Sequence, residues 1–184
     1  MRYPEGHKES VRARIVEEAS HALRRDGLDA VSIPKLMKMA GLTHGAFYAH
    51  FRSRDQLVAE AVAFAATESG TRVFAPENSL DDVLRSYLST EHVDHPAFGC
   101  VLAALGPEGR RWSAPVRRIF AEAAKRLFRH LEAKLHPRRK RETVSDEALA
   151  VASTMVGAVV LARLVDDPAL AERIVAAARS ARHN

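Results

Sequence analysis

Apolar residues recur along this chain of 184 residues at intervals of three and four, and no stretch shows the strict alternation of a half-buried strand. The pattern predicts an all-α fold. Capping residues, glycines and prolines divide the chain into helices. The longer predicted helices cover about 8–26, 54–74, a segment beginning after Ser79, 98–105, 115–136, 145–165 and 168–182, with a polar break at 91–96.

Residues 32–57 predict two short helices joined by a glycine turn, followed by the start of a third helix. Ser32 can cap the first helix, with Pro34 in its first turn. Gly41 can end that helix because glycine adopts the left-handed conformation without a steric penalty. Thr43 then caps the second helix. This arrangement is typical of a helix-turn-helix unit that reads DNA.

The second short helix has two different faces. Phe47 and Phe51 are four residues apart, so they share the face that is predicted to pack on Leu36, Ala40 and Leu42. An ordinary helical hairpin, with both phenylalanines simply in its core, is the alternative interpretation.

The opposite face carries residues that suit a DNA groove. His44 and Tyr48 share it, although a core position is the alternative for Tyr48. Thr43 and Gly45 lie at the helix N-terminus, whose partial positive charge attracts phosphate.

Arg54 follows at the start of the next helix, behind a predicted capping box of Ser53 and Gln56. A cation at this place can hold a flanking phosphate. The residues predicted to contact DNA are Ser32, Lys35, Thr43, His44, Gly45, Ala46, Tyr48, His50 and Arg54.

The segment 40–57 has the pattern Ala-Gly-Leu-Thr-x-Gly-x-Phe-Tyr-x-His-Phe-x-Ser-Arg-x-x-Leu. It resembles the recognition region of the TetR family of transcriptional regulators. The resemblance is close over roughly the first 60 residues, and the remainder fits in length and helical layout. Arg54 departs from the family pattern, in which Lys is commoner. Either side chain neutralises a phosphate, but the two are not interchangeable in geometry.

The resemblance implies an all-helical homodimer that leaves its DNA operator when a small effector binds. It divides the chain into a helix-turn-helix DNA-binding domain at 1–53 and a helical ligand-binding and dimerisation domain at 54–184. In this family the later helices surround the ligand cavity, although plain core packing is the alternative for each of their apolar residues. The effector-binding candidates are Phe64, Tyr87, Phe98, Cys100, Leu102, Trp112, Phe120, Met155 and Val159.

The last two helices are predicted to form the dimer interface. The helix at 145–165 is apolar on nearly every side, so it must be buried on most sides. The body of the domain can cover one side and a symmetric copy another, with Leu170, Ile174, Val175 and Ala178 of the last helix added. Burial within one chain is the alternative.

Composition disfavours membrane proteins, disulfide-bonded proteins and zinc modules. A hydrophobic content of 47% suits a compact core. We expect no membrane association, because no apolar run approaches the length that spans a bilayer, and no signal peptide, so the predicted location is the cytoplasm. With Cys100 as the only cysteine, no intrachain disulfide can form, and the paired spacings of a zinc module are absent.

Positive charge is concentrated outside the predicted DNA-reading helices. Residues 110–141 contain twelve Lys and Arg against two Asp and Glu, whereas residues 1–56 contain ten against seven. A solvated helix face is one interpretation of the basic stretch. Attraction for an acidic ligand, a partner or a second DNA segment is the other.

Cys100 begins a predicted apolar helix, and a helix N-terminus favours the reactive thiolate. A sensor of electrophiles or oxidants is therefore one interpretation, and an inert core cysteine is the other. His92, Asp94 and His95 lie near it in sequence, but they fall in the predicted polar break. We predict neither a metal site nor a cofactor.

The function that these patterns favour is a dimeric, ligand-responsive DNA-binding repressor with a palindromic operator and a small apolar effector. A thiol-switch repressor acting through Cys100 is the first alternative. An enzyme is disfavoured because no nucleophile elbow, phosphate-binding glycine loop or HExxH pattern is present. A helical interaction protein would leave the exposed face of residues 43–48 unexplained.

Overall fold

The computed structural model describes residues 6–28, 32–39, 41, 43–138 and 143–181, without the side chains of His7, His44 and Arg110. Its regular elements in these ranges are all helical, which confirms the predicted fold class. The α-helices are α1 His7–Asp26, α2 Ile33–Met39, α3 Phe47–His50, α4 Arg54–Val73, α5 Leu80–Tyr87, α6 Thr90–Asp94, α7 Val101–Leu105, α8 Ala114–Leu135, α9 Asp146–Leu164 and α10 Pro168–Ser180.

The predicted polar break at 91–96 is wrong, because this segment contains α6 and the start of a 3₁₀ turn, Pro96–Phe98. Ser89 begins α6 by accepting a hydrogen bond from the His92 N–H at 3.2 Å. The next helix starts at Val101 and not at 98, since Gly99 has an extended backbone that separates it from the 3₁₀ turn.

The first three helices pack around two stacked phenylalanine rings. The centroids of Phe47 and Phe51 are 5.5 Å apart, and both side chains are fully buried with Leu36 and Met37 of α2. Of the packing partners predicted for them, Leu36 is in this core, whereas Ala40 and Leu42 lie outside the described residues. Burying two aromatic rings contributes several kcal/mol, on the order of 2 to 3 each.

Helix α4 connects this unit to the rest of the molecule. Its first half, with Leu57, Val58 and Ala61, belongs to the same hydrophobic cluster as α1 to α3. That cluster also includes Trp112, just before α8, and Val116 within α8. The hydrophobic core is therefore continuous across the predicted domain boundary between residues 53 and 54.

A second cluster is built around α9. One side of this helix is buried with small and medium side chains, among them Ala152, Met155 and Val159. By length and composition α9 could also cross a membrane, with a mean hydropathy of 1.6 over a window that is 33% buried. The expectation that no apolar run approaches that length is therefore wrong for α9. A core helix of a soluble bundle meets the same criteria.

The other side of α9 is apolar and exposed. Buried positions lie on one half of the helix, and the opposite half carries Leu149, Leu161 and Leu164, which are 38%, 56% and 75% exposed. Leu170 of α10 is also exposed, at 38%. Exposed apolar side chains gathered on one helix face are typical of interaction surfaces.

Candidate functional site

The turn before α3 has the geometry that the sequence predicts. Gly41 has a φ of 72°, in the left-handed region, and its N–H donates to the Lys38 carbonyl at 3.0 Å. The chain then enters a 3₁₀ turn, His44–Ala46, which leads directly into α3. The recognition segment is therefore His44 to His50, with the His44 side chain outside the described residues.

Tyr48 projects from this segment into solvent. Its side chain is 66% exposed, and its ring meets the edge of the buried Phe47 ring at a centroid distance of 5.2 Å. Thr43 and Gly45 are also exposed, whereas Ala46 is half-buried. His50 is half-buried too, and burial first, then the charges of Lys8 and Arg12, lowers the pKa of its imidazole.

The residues on either side of the recognition segment are held by polar contacts. Ser32 accepts a hydrogen bond from the Lys35 N–H at 3.4 Å, and the Lys35 ammonium lies 3.3 Å from Asp26. Arg54 is half-buried and donates to the Leu28 carbonyl. Its guanidinium therefore links α4 to the segment just after α1.

The cap of α4 differs in one detail from the predicted capping box. The Ser53 hydroxyl accepts from the Gln56 N–H at 3.1 Å, as expected. The Gln56 side-chain oxygen accepts from the Arg52 N–H at 2.8 Å, one residue before the cap. The Gln56 side chain is long enough to reach past Ser53 and accept from the Arg52 N–H.

A cavity of about 550 Å³ lies among α4 to α8, a size that suits a drug-sized ligand. Of the predicted effector residues, Tyr87, Phe98, Cys100 and Leu102 line it. The rest are not in its wall: Phe64, Trp112 and Phe120 pack with the first hydrophobic cluster, and Met155 and Val159 are buried in the second.

Several residues of the cavity wall were not predicted from the sequence. The lining includes Arg72, Arg126, His130 and two glycines, Gly70 and Gly99. A glycine inside the apolar helix α4 was the one available signal, because it opens space on a helix face.

His92 holds the wall of the cavity through both ring nitrogens. Its Nδ1 lies 2.6 Å from the Tyr87 carbonyl, to which it must donate, and its Nε2 accepts from the Cys100 N–H at 2.9 Å. The ring is therefore neutral. Burial lowers the pKa of His92 to about 4. No group of three potential metal ligands occurs within the described ranges.

The cavity wall is joined to α1 by Arg24, whose side chain is fully buried. This guanidinium donates to the Gly99 carbonyl at 2.9 Å and to the Glu68 carboxylate at 2.6 Å. Burial alone would raise the pKa of Glu68, but Arg24 and His21 outweigh it and the pKa is lowered. The Phe98 ring also packs on His21 of α1, with centroids 4.8 Å apart.

Residues 15–61, from within α1 into α4, match the model of bacterial regulatory proteins of the tetR family. The N-terminal region of this chain is therefore a TetR-family DNA-binding domain. The matched segment contains Gly41, Tyr48 and the stacked phenylalanines. No curated protein matches the chain in sequence.

The structural likeness to TetR-family regulators extends beyond the matched segment and covers nearly the whole chain. The reduced form of E. coli NemR aligns with a TM-score of 0.76 at 17% identity, over 94% of each chain. A TetR-family regulator from Cytophaga hutchinsonii aligns with a TM-score of 0.77 at 16% identity, over 98% of this chain and 96% of that one. One from Chloroflexus aurantiacus gives 0.76 at 21% identity, over 96% of each. At these identities the likeness shows the fold alone.

Two glycines of the cavity wall should respond oppositely to a methyl group. A Cβ at Gly99 would lie 2.6 Å from the His92 ring, which two hydrogen bonds hold in place, whereas a Cβ at Gly70 meets nothing within 4 Å. We expect Gly99→Ala to lower the free energy of unfolding by about 1 to 3 kcal/mol. Gly70→Ala should raise it by roughly 0.5 to 1 kcal/mol. Urea unfolding of both variants measures this, and an unchanged Gly99→Ala protein would show that the His92 ring moves freely.

Proposed function

We propose that this chain is a dimeric TetR-type repressor in the cytoplasm, released from a palindromic operator by a small, largely apolar effector. The observation that carries the proposal is the exposed recognition segment His44 to His50. Its Tyr48 faces solvent, and the buried Phe47 and Phe51 hold it rigidly. A cavity whose wall contacts α1 supplies the place for the effector.

Selection of bound sequences from a random DNA pool is the direct test. One recognition segment reads too few bases for a genomic site, but two held roughly 34 Å apart read both halves of a palindrome. The selected sequences should therefore be palindromic, and their affinity should fall steeply with salt. Turnover of a substrate without DNA affinity would favour an enzyme instead.

Three substitutions in and beside the recognition segment should separate their roles. Tyr48→Phe should weaken all operator variants by roughly fivefold, because it removes one phosphate hydrogen bond of about 1 kcal/mol. Lys35→Ala should reduce the salt slope by about one unit. His44→Ala should relax base preference. Electrophoretic retardation at several salt concentrations measures all three.

Arg118→Ala is the matched control, since Arg118 is an exposed cation on α8, in the basic stretch outside the recognition segment. It should leave both affinity and salt slope unchanged. A slope reduced as much by Arg118→Ala as by Lys35→Ala would instead place the basic stretch on DNA. A His44→Ala protein that weakens every sequence equally would contradict base reading by His44.

The exposed face of α9, continued by Leu170 of α10, is proposed as the dimer interface. The half of the helix opposite the core carries the exposed Leu149, Leu161 and Leu164, and Asp146 lies at the N-terminal end of this half. A second copy of the same face can cover it through a two-fold axis, which also gives the palindromic arrangement of the two recognition segments.

Leu161→Arg should give monomers at micromolar concentration and a parallel loss of operator affinity. Leu161 is 56% exposed in one chain, so the substitution leaves the core intact and acts on the interface. A charge buried there without a partner costs several kcal/mol. Sedimentation analysis measures the assembly. Ala121→Arg, at an exposed position of α8, is the control that should remain dimeric. A fully dimeric Leu161→Arg protein would move the interface elsewhere.

Effector binding is proposed to act on α1 and α4 together. Helix α4 runs from the DNA-reading unit to the cavity, where Gly70 and Val73 line the wall. The turn 98–100 lines the same cavity and contacts α1 through Arg24 and His21. An effector that prefers a displaced turn would move both helices, and a coupling of about 1 to 3 kcal/mol changes operator affinity roughly 5- to 150-fold.

Modification of Cys100 is the second candidate trigger. Cys100 is half-buried and lines the cavity, so its thiol is the candidate nucleophile there. Its sulfur would bond to the β-carbon of an α,β-unsaturated carbonyl, the π pair would move to the α-carbon, and water would protonate that carbon.

Treatment with N-ethylmaleimide separates the two triggers. It should release DNA from the native protein and not from Cys100→Ser, while a non-covalent effector acts on both. Mass spectrometry should find the adduct on Cys100 in the released protein. Release without that adduct would rule out the thiol trigger.

A further inference from the structure

The charged residues of the cavity wall are unbalanced in sign. Arg72 of α4 and Arg126 of α8 line the cavity and form no ion pair within the described part of the chain. Arg72 donates one N–H to the Phe98 carbonyl at 2.5 Å, and Arg126 donates one to the Thr67 hydroxyl at 2.9 Å. Each guanidinium has five donors, so both retain donors for a ligand.

One carboxylate accompanies these two cations in the wall. Glu91 is 82% exposed and lies 3.6 Å from the His95 imidazole, so it belongs to the rim of the cavity. Arg72 and Arg126 are exposed as well, so solvent screens all three charges, and the cations outnumber the carboxylate two to one. His92 is neutral and adds no charge. The lining therefore favours a negative group on whatever enters.

A polar group without a strong partner lies deeper in the same cavity. Tyr87 is 3% exposed, and its hydroxyl has no nitrogen or oxygen partner among the described residues, only the Cys100 sulfur beside it. Buried hydroxyls are normally hydrogen-bonded, because an unmade bond costs about 1 to 3 kcal/mol. Because the hydroxyl itself is inaccessible, a polar atom of a ligand would reach it only where the Cys100 side chain turns aside.

The remainder of the lining suits a flat apolar body. The Phe74 ring stacks on His130 at 5.0 Å with an interplanar angle of 17°, and Phe98 is 49% exposed. Leu102 and Leu127 complete this side. Such surfaces pack well on aromatic or extended hydrocarbon groups.

We infer that the cavity takes an amphipathic organic anion, whose acid group is recognised by Arg72 and Arg126 and whose apolar body lies among Phe74, Phe98 and Leu102. Guanidinium and carboxylate match in geometry and can form two parallel hydrogen bonds. The inference rests on the proposed function and names the class of effector for the same site.

The acid group would also act where the cavity is connected to α1. The Arg72 guanidinium that would bind it already donates to the Phe98 carbonyl, and Gly99 next to it accepts from Arg24. An acid that binds the remaining donors of Arg72 would draw the guanidinium toward the cavity and away from that carbonyl. Binding of the anion therefore loosens the turn that joins the cavity to the DNA-reading unit.

Three probes with one apolar body and different charge test the class of ligand. We would measure binding of 2-naphthoate, 2-naphthamide and 2-(aminomethyl)naphthalene to the full chain without DNA, by calorimetry. The acid should bind at least ten times more tightly than the amide, and the amine should bind most weakly.

Variants of the wall then locate the site. Arg72→Gln and Arg126→Gln should each reduce the preference for the acid severalfold, and Arg126→Lys should retain most of it because the charge remains. Gly70→Phe should block all three probes by filling the cavity. Arg118→Gln, on the same helix but outside the lining, should change nothing.

The inference is overturned if the amide binds as tightly as the acid, if the acid does not bind, or if its preference survives in both Gln variants. DNA release is scored separately. Tight acid binding without release of operator DNA would keep the ligand class and remove the effector role. Failure of the unliganded protein to bind any selected DNA would remove the regulator proposal and leave the binding result intact.

Discussion

The fully buried guanidinium of Arg24 connects the parts of this molecule on which its function depends. It belongs to α1, which supports the DNA-reading unit, and it binds both Glu68 of α4 and the Gly99 carbonyl in the cavity wall. A buried cation is costly unless its donors are satisfied, so these contacts must be kept or exchanged together. A displacement of the turn at Gly99 would therefore strain the Arg24 contacts, which link the turn to α1.

The recognition segment and the cavity differ in how closely the side chains around them are packed. Around Phe47 and Phe51 the core is tightly filled, which holds Tyr48 in one direction on a segment of only two turns. Between α4 and α8 the chain leaves space, partly because Gly70 has no side chain there. A tightly packed recognition segment and an open volume beside the same long helix are the arrangement that the proposed ligand-responsive regulator requires.

Helix α9 has apolar residues both on its buried side and on its exposed side. Its alanines allow close packing on the core side, while its leucines are left on the solvent side of the single chain. The result is a helix apolar enough to resemble a membrane span by composition. Only the distribution of its residues around the axis separates the core side from the side left for a partner.

The sequence by itself determined what depends on neighbours along the chain. Helix periodicity predicted most helix boundaries to within a few residues, and the backbone freedom of Gly41 and the spacing of Phe47 and Phe51 predicted the reading unit. Tertiary structure alone decided which side chains meet across helices. Trp112 and Met155 were cavity candidates through the family resemblance, yet they lie in the core, while Arg72, Arg126 and His92 line the cavity. Periodicity reports which face of a helix is buried, but the distances between helices, and hence the cavity and the Arg24 contacts, depend on how all the faces pack together.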